Sequence, residues 1–422
     1  MKRPMKFAVS ALAAAILALS AMDAAAEPVL IRDARVVTNT SAGIIENSDV
    51  LFNNGRVVAV GEDLRAPANA RVIDAAGQWV TPGAFEPMSM LGLFEIAGSG
   101  APNDARISGD IASAGVDASR AFNPAGVAMP MVRRNGITRA ATAPFYTSGV
   151  FDGQGALVSM SGAPDSLFKP QAFMLVELGE RGADHAGGSR AVLWPVFEAA
   201  LNDALQYPAR YRSGQGGVVL NELDAAALKP FAQGRGLFVA QMERASDIRE
   251  LIAFKRAHPS LKFAIYGGAE AWQVAGELAA ARIPVILNPF SDLPASFETL
   301  GARLDNAAIL SAAGVTIALA PGPGGMDPQE PLTLLQLAGN AVAHGMPWED
   351  AFRAVTKAPA DIYGVGDTYG ALARGYVADV VIWDGDPLEV TSAPTAVFIA
   401  GEEQSLVTRQ TRLRDRYSPV GR

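Results

Sequence analysis

The regular alternation of strand and helix patterns through the middle of this chain constrains its fold most. Short apolar runs at 237–240, 261–266 and 284–288 follow one another, and helix patterns at 245–257 and 269–281 lie between them. Strand–helix repeats of about 20–30 residues are typical of a parallel sheet with helices on its outer side. The sequence therefore predicts the α/β class, with a (β/α)8 TIM-like barrel over residues 84–364.

The stretch just before the first barrel strand carries a recognisable motif. It reads Val80-Thr-Pro-Gly-Ala-Phe-Glu-Pro-Met-Ser-Met-Leu-Gly-Leu93. This resembles the signature of the amidohydrolase superfamily, in which V-x-P-G precedes a D/N-x-H-x-H-L-G segment. A second stretch, 370–388, resembles the motif near the C-terminus of that family, with Ala378-Asp379 and Asp386-Pro387 in place. The wider resemblance, which covers essentially all of the chain after residue 26, is to imidazolonepropionase-like, secreted amidohydrolases.

The resemblance implies a second domain built from both chain ends. Residues 49–60 read as strand, Asn-Gly turn and strand, which is a hairpin signal. In the family such an N-terminal β-rich segment is completed by strands from the C-terminus. We therefore expect residues 27–83 and 365–408 to form one composite β-sandwich, followed by a basic C-terminal tail at 409–422.

The positions that match the family's metal ligands carry other residues. The two signature histidines fall at Met88 and Met90, the next histidine at Gln241, and the aspartate at Gly322; Tyr266 stands near a further histidine position. A catalytic Zn²⁺ is held by nitrogen, thiolate or carboxylate donors, and a neutral thioether suits it poorly. We expect the two methionines to be apolar fillers of the barrel mouth. The sequence predicts no bound metal and no cofactor, although the family norm is zinc or another divalent ion.

Polar residues near predicted strand ends are the candidates for the pocket, because the carboxyl ends of barrel strands form the active face. The candidates are Glu86, Gln154, Glu243, Glu270, Asn288 and Asp327. Surface solvation or pairing with arginine is the alternative for the carboxylates. An oxygen-ligand site of Glu86, Glu243 and Asp327 for Mg²⁺ or Ca²⁺ is a further alternative. The three histidines, His185, His258 and His344, are expected to be exposed or to cap helices.

Residues 1–26 read as a secretory signal, which predicts a periplasmic or secreted protein. Lys2, Arg3 and Lys6 precede an apolar run, and Ala24-Ala25-Ala26 fits the small-residue cleavage rule. The chain has no cysteine, which excludes disulfides, thiolate zinc sites and a cysteine nucleophile. Its net charge of −8 without a long basic run argues against nucleic acid and, after signal removal, against a membrane surface.

Two functions remain open from the sequence. The resemblance implies a hydrolase acting on carbon–nitrogen bonds other than peptide bonds. The substituted ligand positions favour a non-catalytic protein on the same fold that binds a small molecule or a partner subunit, in a homo- or hetero-oligomer. The catalytic residues are not identified, because fold alone does not decide function.

Overall fold

A computed structural model describes residues 27–96, 103–145, 147–212, 216–322 and 330–418. The predicted signal segment, 1–26, and the candidate Asp327 lie outside these residues. No helix within the described ranges is long and apolar enough to cross a membrane.

Two eight-stranded sheets organise the chain. The first, the terminal sheet, contains β1 (Val29–Val37), β2 (Ile44–Asn53), β3 (Arg56–Gly61), β4 (Arg71–Asp74), β5 (Trp79–Pro82), β14 (Val380–Trp383), β15 (Pro394–Ile399) and β16 (Glu402–Glu403). The second, the barrel sheet, contains β6 (Ala84–Ser89), β7 (Ile137–Thr142), β8 (Phe151–Ser159), β9 (Leu167–Glu177), β10 (Leu237–Met242), β11 (Lys262–Gly267), β12 (Val285–Leu287) and β13 (Ile317–Leu319).

The terminal sheet joins both ends of the chain, as the sequence predicted. Strand β14 pairs antiparallel with β5, with Val380 opposite Pro82. Strand β1 is shared, since its first half pairs with β4 and its second half with β5. Val36, Val80 and Phe398 contribute to one buried core of this sheet. The predicted α/β fold class, with a second β-sheet unit from both chain ends, is confirmed.

The barrel sheet is nearly closed, because its last strand β13 lies against its first strand β6. It departs from a regular (β/α)8 pattern at β8, which runs antiparallel to both β7 and β9. The apolar run at 156–160 predicts a strand and allows a hairpin insertion at this point of the sequence. The other neighbouring pairs of the sheet are parallel.

Helices cover the outer side of the barrel strands. They are α1 (Met129–Arg134), α2 (Glu180–His185), α3 (Arg190–Gln206), α4 (Ala209–Arg212), α5 (Glu222–Ala232), α6 (Ala245–Ala257), α7 (Ala275–Ala281), α8 (Asn306–Ala312), α9 (Leu334–Ala343), α10 (Trp348–Ala354), α11 (Lys357–Ile362) and, in the basic tail, α12 (Arg409–Tyr417). Short 3-10 helices lie at Ala118–Arg120, Ala271–Val274, Phe297–Thr299 and Glu330–Thr333. The helix predicted over 269–281 is therefore wrong in its first half, where a 3-10 turn at Ala271–Val274 precedes α7.

Alternation along the barrel strands divides the buried side chains into two cores. Phe238, Ile265 and Leu287 belong to the outer core between strands and helices. Val239 and Ile286, in the alternate register, belong to a second core inside the barrel. Because side chains of a strand alternate between faces, each residue two positions beyond a lumen residue points toward the same side. This rule locates the side chains at the barrel mouth.

Candidate functional site at the barrel mouth

The barrel mouth is the carboxyl end of the parallel strands, where side chains of different strands converge. Because side chains along a strand alternate between its two faces, the residues that follow the core inside the barrel place a small set of side chains at the mouth. The set is Met88, Met90, Asp152, Glu177, Gln241, Tyr266 and Asn288, with Gly322 in the segment after β13.

The two methionines lie inside the apolar core of the lumen. Met88 is 2% exposed and Met90 4% exposed, in one cluster with Phe145 and Tyr266. Thioethers fill irregular apolar space well because the side chain is unbranched and polarisable. Their surroundings agree with the predicted role as fillers.

Tyr266 spans the mouth from β11 to the segment after β13. Its ring is fully buried, and its hydroxyl donates a hydrogen bond to the carbonyl oxygen of Pro321 at 2.9 Å. The next residue, Gly322, lies against Asn288, since an added Cβ would stand 3.3 Å from the Asn288 Nδ2. The Asn288 Oδ1 accepts from the backbone N–H of Phe290 at 2.9 Å. Tyr266 thus connects two positions that the family motif would give to metal ligands.

The side chain of Gln241 brings a hydrogen-bond acceptor to the barrel mouth. In register it stands opposite Glu177 on β9 and Tyr266 on β11. Its Oε1 is buried, and no hydrogen-bond donor reaches it from the described part of the chain. A buried acceptor without a partner costs free energy of about 1–3 kcal/mol, so this oxygen is suited to accept from a bound ligand.

A pair of buried carboxyl groups lies beside Gln241. Glu177 is 1% exposed and Asp152 is fully buried. Arg181 contacts both, with its Nη1 3.1 Å from the Glu177 Oε1 and its Nη2 3.2 Å from the Asp152 Oδ1. Burial, and then the neighbouring Asp152 charge, raise the pKa of Glu177 well above its ordinary value. Glu177 therefore holds its proton more readily than an exposed glutamate does.

Glu243 follows the last residue of β10 and is a second carboxyl group whose pKa is shifted. Burial raises the pKa of Glu243 to about 7, and the nearby Glu298 charge adds to the rise. Its Oε2 accepts from the backbone N–H of Ala269 at 2.8 Å, which lowers the pKa in part. Gly267 makes room for this carboxylate, since an added Cβ would lie 2.4 Å from the Glu243 Oε1. A carboxyl with a pKa near neutral can both donate and accept a proton.

Three predicted pocket residues serve the structure around the mouth. Glu86 is fully buried, and its Oε1 accepts from the backbone N–H of Met88 at 3.2 Å. Gln154 fastens the segment 114–117 to β8, because its backbone N–H donates to the Val116 carbonyl at 2.7 Å. Glu270 accepts from the backbone N–H of Ala245, the first residue of α6, at 3.0 Å. Each therefore has a bonding role that needs no ligand.

The sequence reasoning missed Asp152, Glu177 and Arg181. Strand β9 was not predicted, so its last residue was not recognised as a strand end. The signal was present, because Phe173–Val176 is an unbroken apolar run that stops at Glu177. The three histidines lie at helix ends: His185 is the last residue of α2, while His258 and His344 follow α6 and α9.

The described side chains at the mouth do not fit a hydrolytic zinc ion. They offer two thioethers, the amides of Gln241 and Asn288, a phenol already bonded to a carbonyl, and the carboxyl groups of Asp152 and Glu177, which share Arg181. A zinc site takes three or four imidazole, thiolate or carboxylate donors, and this described set contains only the two carboxyl groups of that kind. Among the residues that the structure describes, no group of three or more His, Asp or Glu side chains is placed to hold a metal. The mouth instead combines an apolar floor with a buried acceptor and two carboxyl groups of raised pKa.

Comparison with known proteins agrees with this architecture. The model of the Amidohydrolase family matches residues 226–408. The solved structure of an amidohydrolase from Thermotoga maritima MSB8 superposes with a TM-score of 0.79 at 25% sequence identity, over 89% of this chain and 99% of that one. These matches support the amidohydrolase superfamily as the family of this chain.

Curated members of the superfamily are similar over most of the chain. An imidazolonepropionase from Acidiphilium cryptum is 27% identical over 85% of this chain and 93% of its own length. An amidohydrolase, tasK, from Hapsidospora irregularis is 26% identical over 84% of this chain. This chain spans only 40% of the length of the tasK protein.

Proposed function

We propose that this amidohydrolase-superfamily chain is an exported protein without metal-dependent hydrolysis, which uses the barrel mouth to bind a small molecule. The observation that carries the proposal is the joint environment of Met88, Met90, Tyr266 and Gln241. Three of these side chains close the lumen with apolar surface, and the fourth leaves a buried acceptor oxygen.

The chemistry of the mouth favours a neutral ligand that donates hydrogen bonds. The Oε1 of Gln241 accepts only, and the carboxyl oxygens of Asp152 beside it are acceptors as well. Cyclic amides combine an N–H donor with a compact apolar body, so they match an acceptor above an apolar floor. The relative named imidazolonepropionase makes this ligand class a reasonable first choice.

Metal content and ligand binding test the two halves of the proposal separately. Protein purified without chelator is expected to contain less than about 0.1 zinc per chain, against about one for a resident zinc site. Calorimetry with 2-pyrrolidone and hydantoin is expected to give saturable binding that Gln241→Leu abolishes and the exposed variant Glu389→Gln preserves. About one zinc per chain, with amide hydrolysis lost on chelation and restored by zinc, would overturn the proposal.

Hydrolysis of carbon–nitrogen bonds is the second candidate. The relatives support it by their names, and Glu243 supports it chemically, since a carboxyl with a pKa of about 7 is suited to acid–base catalysis. Turnover of lactam or amide substrates by protein shown to be metal-free, and its loss in Glu243→Gln, would favour this candidate. Retained turnover in that variant would remove Glu243 from the mechanism.

Export forms part of the proposal and rests on residues 1–26 alone. The charged start, the apolar run and the alanines before Glu27 support cleavage after Ala26. N-terminal sequencing of the protein from a periplasmic fraction is expected to begin at Glu27. Material that begins at Met1 and stays in the cytosol would contradict export.

A further inference from the structure

A cleft lies outside the barrel, beside the start of β8. We call it the flank cleft and define it by Asp110, Ser113, Phe151, His185, Ala200 and Asn221, which line it. Its volume is about 240 Å³. None of the mouth residues Met88, Met90, Gln241 and Tyr266 is part of its lining, so it is distinct from the site of the proposed function.

One buried carboxylate builds the wall of the flank cleft. The Asp224 Oδ1 accepts from the backbone N–H groups of Ser113 and Gly115 at 2.9 and 2.7 Å. Its Oδ2 accepts from the side chain of Asn221 at 2.8 Å. These bonds fasten the segment around Ser113 to the first turn of α5. The cleft is therefore held in shape by specific hydrogen bonds.

An imidazole nitrogen in the cleft lacks a partner. The Nε2 of His185 is buried, and no group within the described ranges makes a hydrogen bond with it. The unpaired nitrogen has a free-energy cost that a ligand group would remove. A neutral imidazole offers one acceptor nitrogen, which suits an N–H donor.

The charge and the apolar parts of the cleft narrow the ligand class. Its lining contains the carboxylates of Asp110 and Asp224 and contains neither lysine nor arginine. Phe151 and Ala200 form an apolar floor. Such a lining attracts cations and repels anions. Typical drug-sized pockets begin at about 300 Å³, so the ligand is a smaller molecule.

We propose that the flank cleft binds a small primary amine in its protonated form. The ammonium group donates hydrogen bonds to the Nε2 of His185 and to Asp110, while a short branched hydrocarbon body lies on Phe151 and Ala200. The site goes beyond the proposed function, because it does not depend on what the barrel mouth binds.

The test compares three probes of one shape: 3-methylbutylamine, 3-methylbutanol and 3-methylbutanoate. Calorimetry at neutral pH is expected to show saturable binding of the amine, binding of the alcohol at least about tenfold weaker, and no binding of the carboxylate. Asp110→Asn, at an exposed position that leaves folding intact, is expected to weaken the amine about tenfold. His185→Phe is expected to abolish binding, and the exposed control Asp292→Asn to retain it.

Equal binding of the amine and the carboxylate would overturn the proposal, as would no saturation by the amine up to about 10 mM. Amine binding that survives both Asp110→Asn and His185→Phe but is lost in Gln241→Leu would place the amine at the barrel mouth and also overturn it. If His185→Phe does not fold, His185→Gln replaces it, with the melting temperature of each variant as the check on folding.

Discussion

Two buried clusters of charge show how differently the two ends of this barrel are built. Between the barrel and the terminal sheet, Arg139 donates from Nε and Nη2 to the two carboxylate oxygens of Asp379 at 2.6 and 2.8 Å. Both side chains are less than a tenth exposed, and each charge has a matched partner. At the mouth, Asp152 and Glu177 share one arginine, Arg181, which is itself 28% exposed. The first cluster joins two sheets. The second places two carboxyl groups against a single guanidinium group.

The comparison teaches that buried charge has two uses in this chain. A matched, bidentate pair fixes geometry, because loss of one partner leaves the other buried and uncompensated. An unmatched acidic pair holds a proton instead, since burial and the second carboxylate disfavour ionisation. Active-site clefts commonly contain the second arrangement.

Breaking the matched pair is expected to have the largest effect. Arg139→Met leaves the Asp379 carboxylate buried without its guanidinium, and such losses cost about 3–5 kcal/mol of unfolding free energy. Urea denaturation at pH 7 measures the change. The control is Arg249→Met, which removes an ion pair with Glu277 whose side chains are about half exposed; it is expected to cost less than about 1 kcal/mol. Equal costs for the two variants would contradict the contrast drawn between buried and exposed pairs.

Glu177→Gln tests the unmatched acid directly. Its pKa is raised on folding, so the unfolded chain loses this proton first and wild-type stability falls as pH rises above the ordinary carboxyl pKa. The amide keeps a donor toward Asp152 and cannot ionise. We expect the variant to unfold with nearly wild-type free energy at pH 4.5 and to gain about 1–3 kcal/mol over wild type at pH 8. A loss of stability at pH 8 would show that Glu177 is ionised in the folded protein.

Glu243→Gln tests the second carboxyl of raised pKa. Here the folded pKa is about 7, so the destabilisation grows between the ordinary carboxyl pKa and pH 7 and then levels off. The gain of the variant over wild type is expected to reach about 3 kcal/mol near pH 7 and to change little up to pH 9. For Glu177→Gln the gain grows above the ordinary carboxyl pKa, and the pH at which it levels off reports the folded pKa of Glu177. Denaturation curves at pH 5, 7 and 9 distinguish the two carboxyls.

The sequence predicted the strands and sheets of the molecule better than the side-chain contacts at the barrel mouth. The terminal motifs at Val80–Gly83 and Ala378–Asp379 located the joint between the sheets, because strand pairing there follows from local pattern and chain order. The alternating runs located β10 to β12 for the same reason. Contacts across the mouth depend on how strands from distant parts of the chain are arranged.

The missed contacts illustrate that limit. Asp152 and Glu177 meet only because β8 runs antiparallel to β9, and the sequence allowed a hairpin there without fixing its register. The hydrogen bond from Tyr266 to Pro321 depends on the closing curvature of the sheet, which no local pattern encodes. The flank cleft was missed because His185 was expected to be exposed or to cap a helix.

The pairing of β5 with β14 has a consequence for how this chain folds. The indole of Trp383 donates to the Thr81 hydroxyl at 2.9 Å across 302 positions of sequence. Contacts of such long range form late, because a large loop must close before they are made. Until β14 arrives, β5 has an open edge, and an unpaired edge strand is a template for association with other chains. The order of synthesis therefore makes the last part of the chain the element that protects the first sheet from aggregation.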